Sequence, residues 1–404
     1  MGIKTALIIG GGIAGPVTAL ALRKAGIAAT VFETYDSAAR DVGGALTVAP
    51  NGLAALKTVG ADELVRAAGH PLHSMVMETG RGRKLMRVDA LPGLPPSCVM
   101  LRADLFGVLH DHALANGIAI EHGKRLVDVT ETAHGVVATF ADGTSAEGDI
   151  LIGADGIHST VRTLIDPEAP GPEYTGLMSF GFGEFTPDGR RRDGGVGDID
   201  AMHFAFGKRA FYGYWRQPDG SDMFFSNLPQ QEAMTMAEAK AVSAEKWLAE
   251  LRAAHVGDTP GQQLFQRTSV EKMIVAGPME RMPHLPHWFR DRMVLVGDSA
   301  HAPSSSSGQG ASLAIESAVE LARCLRDITD PTAAFAAYER LRRPRVEDIS
   351  NNAAKTNSGK TSGPIAKALF GLTMPLATRT FLKPEKMFGP VHRFVIDWNQ
   401  KVAT

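Results

Sequence analysis

Cysteine is nearly absent from this 404-residue sequence, which contains only Cys98 and Cys324. Two isolated cysteines exclude a disulfide framework, a cysteine-based zinc site and a CxxC redox pair, and they predict a cytoplasmic protein. An excess of charge of one sign is also missing, because 42 basic residues stand against 44 acidic ones and the formal net charge is −2. Without a basic surface we expect no nucleic-acid partner and no binding to anionic membranes.

Long hydrophobic runs are missing too, apart from one uncharged segment at residues 5–22. Four glycines and Pro16 interrupt this segment, so we expect no membrane span there. A secretory signal stays open as the less favoured interpretation, because Lys4 and the alanine-rich sequence after it match one loosely. The histidine pair His110 and His112 has no third ligand at usable spacing, which predicts that no metal is bound.

A glycine motif near the N-terminus gives the first functional signal. Residues 3–9 form a short apolar run typical of a buried parallel strand, and the sequence G-x-G-x-x-G follows at Gly10, Gly12 and Gly15. A helix is predicted over residues 14–25. Gly10 permits the tight turn, Gly12 allows a pyrophosphate to approach the backbone, and Gly15 lets the helix pack closely on the strand. The free N–H groups of the helix would face the phosphates.

Glu33 completes this motif, because it follows a second predicted strand at residues 28–32. A carboxylate at this position can accept hydrogen bonds from both hydroxyls of an adenosine ribose, and it disfavours a 2'-phosphate. Strand, turn, helix, strand and acid in this order predict a dinucleotide site. These residues do not decide which dinucleotide binds.

Aromatic residues, only 7% of the chain, are concentrated in one region. Between residues 178 and 228 several alternate with other residues, which is typical of antiparallel strands with one apolar face. Such a face either packs on a helix or lines a cavity for a flat apolar substrate, and both can hold at once. The candidate cavity residues are Phe180, Phe204, Tyr212 and Tyr214.

Two later segments share one design, an apolar strand that ends in an acid next to a glycine. The first contains Asp155 and Gly156, and the second contains Gly297 and Asp298. Each carboxylate is predicted at the carboxyl end of a sheet strand, where open α/β sheets bind their ligands.

The glycine motif with Glu33 and these two acid segments resemble the FAD-dependent aromatic hydroxylases, the single-component flavoprotein monooxygenases of the p-hydroxybenzoate hydroxylase type. The resemblance covers roughly residues 3–345. The C-terminal tail is similar to the helical cap of the shorter members, which include the tetracycline-inactivating hydroxylases. The resemblance implies an α/β fold in which a Rossmann-like FAD-binding domain is interleaved with an antiparallel-sheet substrate domain and followed by C-terminal helices.

The domain boundaries implied by the resemblance divide the chain into six segments. The FAD-binding domain takes residues 1–72, 99–172 and 278–345, the substrate domain takes 73–98 and 173–277, and the helical cap takes 346–404. The basic run of Arg340, Arg342, Arg343 and Arg345 is expected to be a solvated helix end.

The resemblance also implies which residues bind FAD. Glu33 would hold the ribose, Arg102 would reach the ribityl and pyrophosphate region, and Asp298 would bind the ribityl hydroxyls. Asp155 would serve both FAD and a transient nicotinamide. The full set of implied cofactor contacts is Gly10, Gly12, Ile13, Ala14, Gly15, Glu33, Gly44, Ala45, Leu46, Arg102, Asp155, Gly297, Asp298, Gly308, Gly310 and Ala311.

Two positions depart from the family pattern. Ser305 stands where many relatives carry a proline that touches the substrate, so it is a candidate substrate contact. Ser312 replaces a frequent asparagine beside the flavin. His301 and His203 are weak candidates for moving protons, and a structural role is favoured for each.

The implied chemistry uses tightly but non-covalently bound FAD, transient NADPH or NADH, and O2. A flavin C4a-hydroperoxide would hydroxylate a small aromatic or polycyclic molecule, and the protein would be a monomer or weak homodimer. Epoxidation and Baeyer-Villiger insertion by the same peroxide stay open. So does an FAD-dependent reductase or dehydrogenase that forms no peroxide.

Overall fold

The described parts of the chain form four β-sheets with helices around them. A computed structural model describes residues 2–36, 44–183, 198–361 and 384–403. Its strands are β1 Thr5–Ile9, β2 Ala28–Phe32, β3 Ala45–Val48, β4 His70–Leu72, β5 Ser74–Thr79, β6 Lys84–Asp89, β7 Ser97–Leu101, β8 Ala119–Glu121, β9 Leu126–Glu131, β10 Val136–Phe140, β11 Ser145–Gly148, β12 Ile150–Gly153, β13 Glu173–Gly183, β14 Ala201–Phe206, β15 Phe211–Arg216, β16 Asp222–Pro229, β17 Met273–Arg281, β18 Phe289–Arg290 and β19 Met293–Leu295.

The helices carry most of the remaining described residues. They are α1 Ala14–Lys24, α2 Pro50–Thr58, α3 Asp62–Ala68, α4 Arg102–Ala115, α5 Thr160–Ile165, α6 Met236–Ala241, α7 Ala244–Ala254, α8 Gly261–Arg267, α9 Asp298–His301, α10 Gly310–Asp327, α11 Pro331–Thr361 and α12 Pro384–His392. The mixed α/β fold with parallel and antiparallel sheets and C-terminal helices confirms the predicted fold class. The domain boundaries given above stay a prediction.

A six-stranded sheet forms the dinucleotide-binding half of the fold, in the order β18-β19-β12-β1-β2-β8. Its strands are parallel except for β18, which runs antiparallel to β19. The central strands β1 and β12 are aliphatic and buried, and they share one core with residues of α1 and α10. Helices on the sheet explain why these strands read as continuous apolar runs rather than alternating ones. The carboxyl ends of β1, β12 and β19 therefore lie side by side.

A seven-stranded sheet forms the other half, in the order β17-β13-β16-β15-β14-β5-β6. Its pairings are antiparallel except between β14 and β5, which run parallel. Two three-stranded sheets complete the fold, β11-β10-β9 and β3-β7-β4. The prediction of antiparallel strands in the aromatic region is thus confirmed for β13, β15 and β16, and it misses the parallel partner of β14.

The seven-stranded sheet has two apolar faces. One face packs on α7 and α8 in a cluster that includes Phe180, Trp247 and Phe265, and we call it the helix face. The other packs on Leu72 of β4 and Val99 of β7 through Met202, Trp215 and Met223, and we call it the inner face. The inner face therefore turns toward the sheet that contains β3.

Two predicted elements are each divided in the structure. The sequence predicts one strand over residues 146–152, but the structure divides it into β11 and β12, because the Asp149 carboxylate accepts hydrogen bonds from the backbone N–H groups of Lys4 and Thr5 at 2.7 and 2.9 Å. The sequence also predicts one helix over residues 237–253, which the structure interrupts at Val242, whose backbone is extended. Ser243 then caps α7 by accepting a hydrogen bond from the N–H of Lys246.

The basic run on α11 is not a solvated helix end. Arg342 is fully buried, and its guanidinium lies 2.7 Å from the Glu316 carboxylate of α10. Arg345 pairs with the same carboxylate at 2.9 Å, and its guanidinium lies 3.9 Å from the ring centroid of Phe394. Burial opposes ionisation of Glu316, but the two arginines outweigh it and hold its pKa below the ordinary value.

None of the helices in the described parts of the chain is both long enough and apolar enough to cross a membrane. The uncharged segment of residues 5–22 is instead divided between β1 and α1.

Candidate flavin site

The first glycine turn joins β1 to α1. Gly10 has φ = 106°, and a Cβ atom there would overlap the carbonyl oxygen of Ala154, so the turn is pressed against the end of β12. A Cβ atom on Gly15 would overlap the carbonyl oxygen of Gly10, which explains the close packing of the helix on the turn. At Gly12, by contrast, no other heavy atom of the described residues lies within 4 Å of the Cβ position. The open side of this turn lies just before Ile13 and Ala14, where α1 begins.

Glu33 lies at the end of β2 and supports the same turn. Its Oε2 atom accepts a hydrogen bond from the N–H of Gly11 at 2.6 Å, and its Oε1 atom accepts one from the N–H of Tyr35 at 3.0 Å. The residue is only 9% exposed. A carboxylate has about four lone-pair positions, so these two bonds leave capacity for ribose hydroxyls.

The Gly297–Asp298 segment lies where the first turns of α1 and α10 approach each other. A Cβ atom on Gly297 would lie 3.1 Å from the Cβ atoms of both Ala14 and Ala314, so only glycine fits between the two helices. Asp298 is half-buried, and among the described residues no hydrogen-bond partner of its carboxylate is found. Burial raises its pKa, while the positive charge of Arg102 acts in the opposite direction.

Asp155 lies just after β12 and contacts the start of α5. Its Oδ1 atom accepts a hydrogen bond from the Ser159 hydroxyl at 2.5 Å, and its Oδ2 atom accepts one from the N–H of Val161 at 3.0 Å. The carboxylate therefore caps the start of α5. Burial raises the pKa of Asp155, and these hydrogen bonds reduce the effect. A direct role toward FAD or a nicotinamide stays a prediction.

Two backbone segments frame the space beyond Asp298. The first is the start of β3, where Ala45 and Leu46 pair with β7 and the carbonyl of Gly44 accepts a hydrogen bond from the N–H of Arg102 at 3.0 Å. The second contains Gly308, with φ = 61°, and Gly310 at the start of α10, followed by Ala311. Among the described residues, no other heavy atom lies within 4 Å of the Cβ positions of Gly44, Gly308 and Gly310, so the described chain leaves open space beside each backbone.

A buried polar cluster supports the start of α10. The side-chain amide of Asn51 on α2 donates to Gln309 at 3.0 Å and to Glu316 at 2.7 Å. Ser312 is buried and accepts a hydrogen bond from the N–H of Ala49 at 3.0 Å, so its side chain bonds to the backbone just before α2. Sequence reasoning missed Asn51 and Glu316, because no local pattern links residues 265 positions apart.

The four candidate cavity residues of the aromatic region do not share a face. Phe204 is partly buried on the inner face. Phe180, Tyr212 and Tyr214 are buried in the core of the helix face, on the other side of the sheet. The structure therefore does not bring the four residues onto one face, because the period-two pattern put residues of both faces into one set. Their contact with substrate stays a prediction. Ser305 lies in a short 3-10 turn before Gly308, and its substrate contact stays a prediction.

The two candidate histidines are held by buried structural contacts. Burial and the nearby Arg342 lower the pKa of His301 to about 3, and its Nε2 atom lies 2.8 Å from the Ser317 hydroxyl. The Nδ1 atom of His203 lies 2.9 Å from Glu78 on the helix face, and Glu78 also accepts a hydrogen bond from Tyr214. Both arrangements agree with the structural role favoured from the sequence.

Comparison with known proteins gives the family. The family described as "FAD binding domain" matches residues 4–353. The chain belongs to this family. Among curated relatives, the aurachin C monooxygenase/isomerase of Stigmatella aurantiaca is 31% identical over 85% of this chain and 86% of its own length. The FAD-dependent urate hydroxylase of Klebsiella oxytoca is 29% identical over 87% of this chain and 88% of its own.

Solved structures of the family agree with the fold. The crystal structure of Klebsiella pneumoniae HpxO complexed with FAD and uric acid has a TM-score of 0.82 and 25% identity, and the match covers 96% of each chain. The tetracycline destructase Tet(55) has a TM-score of 0.69 at 20% identity, covering 94% of this chain and 98% of its own, which shows the same fold. The predicted resemblance is confirmed: this member of the family is an FAD-dependent oxidoreductase of the monooxygenase class.

The residues present fit FAD. The open backbone at Gly12 borders the N-terminus of α1, where N–H groups and the helix dipole favour phosphate. The half-buried carboxylate of Asp298 suits ligand hydroxyl groups. Open backbone at Gly44 and Gly310 leaves space for a flat ring close to the chain.

Proposed function

We propose that this member of the family is a monooxygenase that uses NADPH or NADH and O2 to hydroxylate a small aromatic or polycyclic molecule. The observation that carries the proposal is the contact between the inner face of the seven-stranded sheet and the backbone at Gly44. A Cβ atom on Gly181, on the inner face of the seven-stranded sheet, would lie 3.8 Å from the Cα atom of Gly44. The apolar inner face and the backbone segment assigned to the flavin ring are therefore neighbours.

The roles of this chain's residues follow from their positions. Glu33 holds the ribose, the N–H groups at the start of α1 hold the pyrophosphate, and Asp298 holds the ribityl hydroxyls. FAD is bound tightly without a covalent link, and when bound it supplies the redox chemistry. The N-terminus of α10, beginning at Gly310, would stabilise negative charge on a flavin ring bound next to it.

The inner face supplies positioning and water exclusion. Leu101 and Phe204 are partly buried next to a cluster of fully buried apolar residues, so a flat ring placed against them loses contact with water. Water-poor surroundings direct the activated oxygen to the substrate instead of to release as hydrogen peroxide. The relatives include an FAD-dependent urate hydroxylase, and the aromatic heterocycle of urate is consistent with this substrate class.

Cofactor content and reductant use test the proposal together. We expect purified protein to be yellow and to release FAD, rather than FMN, on heating or acidification. An aromatic substrate should then accelerate NADPH or NADH oxidation in air and lose that effect without O2. Colourless protein that binds only NAD would contradict the proposal. Turnover that is equally fast without O2 would favour a reductase, and an epoxide or ring-expanded product would favour the alternative oxygen transfers.

A further inference from the structure

On the five strands β5, β6, β14, β15 and β16, the inner face of the seven-stranded sheet carries no charged side chain in the described part of the chain. In antiparallel and parallel ladders, directly paired residues lie on the same face, so the register identifies the set. Its side chains on these five strands are Met75, Met77, Thr79, Met86, Val88, Met202, Phe204, Phe206, Phe211, Trp215, Met223, Phe225 and Asn227. Only Thr79 and Asn227 in this set are polar, and neither is charged. The charged residues of these strands lie elsewhere: Arg87 is paired with Val76, and Arg216 with Asp222, on the helix face.

Among the described residues of these five strands, a charged substrate group would find no counter-ion on the inner face. Burying a carboxylate without a partner costs several kcal/mol, because its hydration is lost and nothing replaces it. A neutral ring loses no such hydration, and it gains from contact with aromatic rings and methionine side chains. The described surface therefore favours a neutral ligand over an anionic one.

The shape of this face favours a flat ligand. A Cβ atom on Gly213 would overlap the ring of Phe225, so that ring lies directly over the strand instead of projecting from it. The rings of Phe204, Phe211 and Phe225 have centroids separated by 5.9 to 6.3 Å. On β13 the inner face is formed by Ser179, Gly181 and Gly183, and the Ser179 hydroxyl accepts a hydrogen bond from the Asn227 side-chain amide at 3.2 Å. The surface is thus low and aromatic where it meets Gly44.

We propose that the substrate is a neutral, planar, apolar aromatic molecule, and that aromatic carboxylates are poor substrates. This inference rests on the proposed function, because it assigns the substrate of the same site. Phe204 determines the preference, because it is a partly buried side chain of the inner face in contact with the buried cluster. A cation at this position would give a carboxylate its missing partner.

A matched pair of ligands tests the inference on the FAD-loaded enzyme. The probes are 2-naphthol and 6-hydroxy-2-naphthoate, which share the ring and hydroxyl and differ by one carboxylate. Their dissociation constants are measured from the perturbation of the flavin absorbance, without turnover. We expect 2-naphthol to bind at least about tenfold more tightly, and Phe204→Arg to reverse or abolish that ratio. The control, Val127→Arg, adds the same charge at an exposed position on β9 and should leave the ratio unchanged.

Each outcome decides between the two claims. Equal or tighter binding of the carboxylate, or no binding of either probe, overturns the inference. A ratio that Val127→Arg changes as much as Phe204→Arg also overturns it, because the effect would then be long-range. Tighter binding of 2-naphthol without oxygenation of any bound aromatic supports the inference and contradicts the proposed function instead.

Discussion

The side-chain amide of Asn51 lies 2.7 Å from the carboxylate of Glu316, and this hydrogen bond joins α2 to α10 inside the protein. The same amide donates to Gln309, the residue just before α10. Glu316 is also paired with Arg342 and Arg345. The buried Asn51 thus connects the first turn of α10, which we assign to the flavin ring, with the ion pairs that Glu316 forms with Arg342 and Arg345.

Replacing Asn51 tests this connection. We expect Asn51→Leu to lower the free energy of unfolding by about 1.5 to 3 kcal/mol, because a buried hydrogen bond to a charged group is lost. FAD affinity should fall as well, since Gln309 loses its support. Thermal unfolding with and without FAD measures both effects. If the variant loses stability equally with and without FAD and its FAD affinity is unchanged, Asn51 has no link to the flavin site.

A pair of glycine variants separates folding from cofactor binding. Gly12→Val adds a side chain in open space, so the fold should persist while FAD affinity drops at least about tenfold. Gly10→Val places its side chain against Ala154 at a positive φ, which should destabilise the protein by about 2 to 4 kcal/mol. FAD titration and chemical unfolding of the two apoproteins measure the contrast. Normal FAD binding by Gly12→Val would place the pyrophosphate elsewhere.

Asp298 should stabilise the FAD complex and destabilise the apoprotein. Burial raises its pKa in the folded chain, so above the ordinary value of 3.8 the unfolded chain loses this proton first. The free energy of unfolding of the apoprotein therefore falls as the pH rises from the pKa of Asp298 in the unfolded chain to its pKa in the folded chain. The Asp298→Asn substitution removes this loss of stability, because the amide does not ionise. At pH 7 we expect apo Asp298→Asn to melt at a higher temperature than the parent protein, with no difference below about pH 3.8.

The same substitution should weaken FAD binding. A hydrogen bond from a ligand hydroxyl to a carboxylate contributes about 1.5 to 3 kcal/mol, or roughly tenfold to more than a hundredfold in affinity. Asp298→Ala should lose FAD in the same way. Unchanged FAD affinity in a correctly folded variant would remove Asp298 from the site.

Phe204 should control the yield of oxygenated product per NADPH or NADH consumed. We expect the Phe204→Ala variant to retain FAD, and we expect NADPH or NADH to reduce its flavin at the normal rate. It should release more hydrogen peroxide per NADPH or NADH consumed, because the smaller side chain lets water reach the inner face. The control is Phe224→Leu, which changes a ring on the helix face and should leave the peroxide yield unchanged. Both products are quantified with 2-naphthol present. An unchanged yield in Phe204→Ala would make the inner face ordinary core.

The parts of the site that were predictable from sequence are local. Gly10, Gly15 and Glu33 lie within one strand–helix–strand unit. Each glycine in it is needed for a local reason, a tight turn at Gly10 and close packing of the helix at Gly15. The same is true of Gly297 and Asp298 at the end of β19. In the structure the turn at Gly10 packs against Ala154 and Asp155, and Gly297 packs against Ala14 at the start of α1. The family comparison confirms FAD binding.

The rest depended on tertiary packing. Alternation identified strands around Phe180 and Tyr214, but it could not show which face meets α7 and which meets Leu72 and Val99. Arg342 is a typical surface residue in a basic run, and only the distant Glu316 explains its burial. Asn51 likewise gains its role from contacts far along the chain.

The fate of molecular oxygen tests the central claim most directly. The holoenzyme is incubated with NADPH or NADH, isotopically heavy O2 and 2-naphthol, and the product mass is measured. We predict that one heavy oxygen atom enters the product for each substrate molecule converted. A product without that atom, formed equally fast in the absence of O2, would contradict the assignment as a monooxygenase.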